Sequence, residues 1–158
     1  MKSYSSRLNK QISIDRLSFQ LGMINCFVEM VACGVKRLAL SPPLIPEDYQ
    51  KIAPYSDQIV QRFSVKSYLE QSLLVTKLQS QEFTKGKWSL LYYKTDDVLK
   101  DYLNLKKRKI QLERDKKYDQ KASEKLSREF MKLLSYPSEV IEEKISGSSQ
   151  DPYMLIEI

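Results

Sequence analysis

Apolar positions in the first quarter of the chain recur at helical spacing. Leu17, Leu21, Ile24, Phe27, Val28, Met30, Val31 and Val35 cover most of a helical wheel. Ser18, Gly22, Asn25, Glu29 and Lys36 instead fall within an arc of about 60°, at about 100° per residue. The pattern predicts one long central helix over about residues 10–38, packed on most sides, with a single polar ribbon. Residues 17–35 approach membrane-spanning length, but Gln20, Asn25 and Glu29 lie inside them. A central carboxylate alone costs about 2.5–3.5 kcal/mol on insertion, so no membrane partner is expected.

Pro42 and Pro43 are expected to end that helix, and Pro46 to open a short one with Glu47 and Asp48 at its positive end. From Ser56 to Phe83 the spacing again reads as helix, with Ile59, Val60, Phe63, Leu69, Leu73, Leu74 and Leu78 as core. Ser67 and Glu70 fit a capping box, which marks a break near Phe63–Ser67. Gly86 and the aromatic run after it, "WSLLYY" at 88–93, suit a turn followed by an extended segment or packed loop. Residues 96–134 are strongly helical. Their apolar face, formed by Val98, Leu99, Tyr102, Leu103 and Leu105, fills with charge and resumes at Ala122. That reads as a helical hairpin with its tip near 115–121; the rival is one continuous helix. Pro137 can start a last short helix ended by Gly147.

The fold expected is therefore all-α: a bundle of about four main helices with short extra ones and, at most, a minor two-stranded element. The presence of only four glycines supports this, since sheet-rich folds consume turns. Residues 1–146 form the helical domain, and 147–158 a linker with an apolar tail, "YMLIEI". Five apolar side chains would not stay in water, so the tail is expected to dock by strand addition on "WSLLYY", either within the chain or on a second copy.

Composition narrows the chemistry. There is no histidine, which removes the usual general base near neutral pH, the Ser-His and Cys-His pairs, and the commonest zinc ligand. The polar N-terminal stretch lacks the apolar core of a secretory signal, which points to the cytoplasm. Cys26 and Cys33, about 10.5 Å apart along one helix, are too far apart to pair within it, since a disulfide needs less than about 7 Å. They are expected to be reduced, buried and inert. No Gly-rich phosphate loop or metal-ligand spacing is present, so no cofactor and no metal are expected.

Two groups of residues carry what chemistry there is. Asn25 and Glu29 on the polar ribbon, with Tyr92 and Tyr93, are the candidate ligand-binding residues; Glu29 and the two tyrosines would also be the participants in any proton transfer. The second group is set by charge. The chain has a net charge of +6, and residues 85–121, with twelve basic and six acidic side chains, hold all of it. Lys106, Lys107, Arg108 and Lys109 lie at its centre, among tyrosines, as nucleic acid or another polyanion would require. With no catalytic motif, the function expected is a non-catalytic protein-interaction or regulatory module, binding itself or another protein. The alternative is polyanion binding through the basic segment.

Overall fold

The computed structural model describes residues 13–147. Six helices and three strands follow in the order α1 (Arg16–Ala32), β1 (Leu38–Leu40), α2 (Pro46–Arg62), β2 (Lys66–Glu70), α3 (Gln81–Thr84), β3 (Ser89–Tyr93), α4 (Asp96–Arg114), α5 (Gln120–Leu133) and α6 (Ser138–Ile145). The strands form one antiparallel sheet in the order β1-β3-β2. The all-α expectation is thus wrong: the fold mixes helices with a three-stranded sheet that lies at its centre.

Both flanking strands run opposite to β3, so β1 and β2 are parallel to each other, joined through α2, and held apart by β3. Leu38, Ala39 and Leu40 face Tyr93, Tyr92 and Leu91 across one edge, and Lys66 to Glu70 face Tyr93 to Ser89 across the other. All five residues of β3 are buried. A strand covered on both faces reads as a continuous apolar run, which is why "SLLYY" does not alternate.

The two faces of β3 feed two cores. Leu90 and Tyr92 pack with Ile24, Val28 and Val31 of α1 and Ile52 and Val60 of α2. Leu91 and Tyr93 pack with Val98, Tyr102 and Leu105 of α4, Leu126 and Phe130 of α5, and Ile141 and Ile145 of α6. The molecule is therefore a three-layer sandwich, with α1 and α2 on one side of the sheet and α4–α6 on the other.

Several local expectations need correction. The first helix ends at Ala32, well before the prolines. Gly34 takes a left-handed φ of 76°, the Val35 amide donates back to the Met30 carbonyl and the Gly34 amide to Val31, closing the helix as a Schellman turn. The segment read as helix from Ser56 to Phe83 is three different things: the end of α2, the strand β2, and an irregular run to Ser80. Leu73, Leu74 and Leu78 are buried as expected, but from a loop. Side chains satisfy part of its backbone, with the Gln79 side-chain amide donating to the Leu74 carbonyl and the Lys77 amide to the Ser127 hydroxyl on α5. Ser67 and Glu70 lie in β2 and cap no helix.

Other expectations agree with the structure. Pro46 opens α2 with Glu47 and Asp48 in its first turn, although the helix runs 17 residues rather than being short. Residues 96–134 form the hairpin α4–α5, turned at Lys116 (φ 54°), with Asp119 accepting from the Ala122 amide to cap α5. No helix among the described residues is long and apolar enough to cross a membrane.

Candidate interaction surface

The four candidate ligand-binding residues do not converge. Asn25 and Glu29 are exposed on the outer side of α1. Tyr92 lies on the inner side of the same layer, fully buried, with its hydroxyl 2.9 Å from the Ser56 hydroxyl. Tyr93 points through the sheet into the other core. Strand alternation alone separates Tyr92 from Tyr93, because successive side chains leave opposite faces. Among the described residues, no group of three or more His, Cys, Asp or Glu side chains is placed to hold a metal ion.

The two buried phenols, Tyr92 and Tyr102, instead act on stability. Burial holds each well above the usual phenol range, and for Tyr102 the negative charge of Glu70 adds to this. In the unfolded chain both ionise near pH 10, as model tyrosines do. Above that pH the unfolded state loses protons that the folded state keeps, so stability falls as pH rises. Each tyrosine contributes a loss of up to about 1.4 kcal/mol per pH unit. Tyr92→Phe is expected to make stability less steeply dependent on pH between about pH 10 and 11.5, read from urea melts at successive pH values.

Three of the four central cations of the basic segment are paired with carboxylates by the fold. Lys106 Nζ lies 2.7 Å from a carboxylate oxygen of buried Glu70 and donates to the Ser72 carbonyl. The Arg108 guanidinium engages both oxygens of Glu129, which raises the arginine's affinity for its proton and lowers that of the carboxylate. Lys109 pairs with Glu113 one turn on, at 2.8 Å, and sits over the Tyr118 ring. Lys107 lines an open groove of about 580 Å³ between α4 and α5, shared with Arg37, Asp101, Glu129 and Lys132. Both signs of charge therefore meet in that groove.

The largest unexplained feature is on α1. Its buried residues are Gln20, Ile24, Val28 and Val31, a single stripe. Packing on most sides, as the apolar wheel suggested, does not occur. A second stripe, Phe19, Met23, Cys26, Met30 and Cys33, alternates by four and three residues, the spacing of a helix–helix seam. Phe19 and Met23 are partly exposed, Met30 is 39% exposed, and both cysteines are exposed. The thiols are thus not buried as expected. The 4-3-4-3 spacing was legible in the sequence; it was hidden because the same helix carries a core stripe beside it. Ile14 and Val35, at either end of the helix, are exposed as well.

In the folded, dissociated chain, at high dilution and without denaturant, both thiols are expected to react with a thiol reagent as fast as they do in urea to within about tenfold. Labelling that needs denaturant would place them under cover.

No family model matches the chain, and neither curated proteins nor solved structures provide a significant match.

Proposed function

We propose that this protein is a non-catalytic, cytoplasmic protein-interaction module that docks a helix along the Phe19–Cys33 face of α1, with a second copy of the chain as first partner. The single observation behind this reading is the seam-spaced apolar stripe, left open beside a complete core. Exposed apolar surface in a row marks contact sites, whereas isolated apolar residues need no explanation. Methionine suits such a face because its flexible thioether adapts to a partner's shape. The polar ribbon of Ser18, Asn25 and Glu29 would border the seam on one side.

Sedimentation over a range of concentrations tests it. The natural chain is expected to associate, and Met30→Lys to weaken association at least about tenfold, equivalent to about 1.4 kcal/mol. Because Met30 is already exposed, the substitution should leave the melting temperature of the monomer in place. Equal association of the two proteins would overturn the reading.

Polyanion binding is the second reading, supported by the open groove beside Lys107, Arg37 and Lys132. Its intramolecular carboxylate partners weigh against it, since a phosphate would have to displace Glu129 from Arg108 and Glu70 from Lys106.

A further inference from the structure

Both edges of β3 are taken, one by β1 and the other by β2, so "WSLLYY" offers no open edge to a further strand. The tail expected to dock there lies outside the described residues.

Beside β1, the two helical layers leave between them a cleft of about 110 Å³. Its walls are apolar: Leu40 and Pro42 from the β1 segment, Phe27 from α1, Leu78 and Phe83 from the run between β2 and β3, and Leu134 from the end of α5. Pro42, like Pro43 beside it, has no amide hydrogen, so this part of the wall offers no backbone donor. Two neutral polar side chains also line the cleft, and both are committed to nearby backbone. The Ser41 hydroxyl donates to the Pro42 carbonyl and accepts from the Leu90 amide, and the Gln79 amide nitrogen donates to the Leu74 carbonyl.

Lys36 is different. It is half-buried in the same wall, and it is the only charged side chain lining the cleft among the described residues. Its ammonium donates to the Leu134 carbonyl at 3.0 Å and lies 5.1 Å from the centre of the Tyr136 ring. An ammonium carries three N–H donors. No carboxylate of the described residues pairs with it. Elsewhere the fold supplies a counter-charge where a buried ion lies, pairing Lys106 with Glu70 and Arg16 with Asp48. Burial without such a partner lowers the Lys36 pKa. The position of the ammonium is fixed from two sides. The Lys36 amide donates to the Met30 carbonyl at 3.2 Å, and the Arg37 amide to the Ser135 hydroxyl at 2.9 Å, so the turns after α1 and α5 hold each other.

We propose that this cleft binds a small aliphatic monocarboxylate, with its carbon chain among Phe27, Leu40, Leu78 and Phe83 and its carboxylate on the Lys36 ammonium.

Size and charge select this class. A cavity of about 150 Å³ admits benzene, so one of about 110 Å³ holds roughly four or five carbon atoms. A carboxylate accepts from the N–H groups that the Leu134 carbonyl leaves unused, in a charge-assisted pair. A phosphate would bring a second negative charge to a wall with one cation. An uncharged ligand would fill the space and leave the ammonium without its counter-charge.

Titration of the full chain with 3-methylbutanoate, followed by amide NMR, tests the proposal. Half-saturation is expected at about 1 mM or below, with shifts at the Leu40, Leu78 and Leu134 amides and none at Ile110. 3-Methylbutan-1-ol has the same carbon body without the charge, and should bind at least about tenfold more weakly. Lys36→Met should weaken the acid at least about tenfold and bind acid and alcohol alike, with its melting temperature in place. Lys36→Arg should keep the preference for the acid. Met30→Lys should bind the acid as the natural chain does, because Met30 does not line the cleft. Absence of shifts up to about 10 mM acid would overturn the proposal. So would equal binding of acid and alcohol by the natural chain, undiminished affinity in Lys36→Met, binding lost in Met30→Lys, or shifts centred on the groove beside Lys107.

Discussion

Phe130→Ala is expected to lower stability by about 3–5 kcal/mol, a large share of the 5–15 kcal/mol typical of a domain. Phe130 is fully buried at the meeting point of α4, α5 and the sheet, with its ring centroid 6.0 Å from that of Tyr102. Truncation would remove its apolar area from the core and leave a cavity that fixed backbones on three sides cannot close. A urea titration should show the midpoint falling with an unchanged slope, the sign of lost stability without a changed unfolded state. Ile110→Ala on the same hairpin provides the contrast. That side chain is 52% exposed, and its loss should cost within about 0.5 kcal/mol. A Phe130→Ala protein as stable as the natural one would mean that the α5 face does not pack on the sheet.

Lys106→Met is expected to cost a similar amount, about 3–5 kcal/mol, for a different reason. Methionine keeps most of the aliphatic stem and loses the ammonium, which sits 6.0 Å from the centre of the Tyr102 ring. What is lost is the only cation paired with Glu70 among the described residues; the Glu70 side chain is 4% exposed. The carboxylate would keep one hydrogen bond, from the Ser72 amide at 2.8 Å, and otherwise be left as a buried charge. Adding Glu70→Leu to Lys106→Met should recover most of the loss, because an apolar pair of similar size carries no desolvation cost. A single variant that melts with the natural protein would show that Lys106 is free. The basic segment would then be available to a polyanion after all.

The mixed fold escaped sequence reading for identifiable physical reasons. Scarcity of glycine does not bring scarcity of turns in this chain. The chain instead closes helices with Ser64, Lys116 and Ser135 at φ of 52°, 54° and 64°. Each of these makes the same return hydrogen bonds as Gly34, with Val65 donating to Val60, Lys117 to Leu112 and Tyr136 to Met131. A helix end without glycine leaves little local signal, so the helical spacing that starts at Ser56 reads on across β2 to Phe83. Ser67 and Glu70 have the spacing of a capping box, but spacing does not say which backbone they meet. Glu70 is held by Lys106, 36 residues away, and that contact exists only once the hairpin has packed on the sheet.

The basic cluster shows the same limit from the other side. Four successive cations at 106–109 look like a free patch because the partners of two of them, Lys106 and Arg108, are distant in sequence. Glu129 lies 21 residues from Arg108, on the facing helix of the hairpin. The α1 stripe was the converse case: the apolar positions were plain, and only packing could show which of them the fold leaves uncovered.

By itself the sequence determined what depends on neighbours within about one helical turn. That includes the helix start at Pro46, the helical character of residues 96–134 with a hairpin as the favoured of two readings, and the lack of histidine in the sequence. Which strands pair was decided by the tertiary structure alone. β1 has three residues and joins β3 across about fifty positions of intervening chain, so its hydrogen bonds have no local signature. Tertiary structure also decided which face of α1 meets the core. The helix carries two apolar stripes, and it is the Ile24, Val28 and Val31 stripe that packs on the Leu90–Tyr92 side of the sheet.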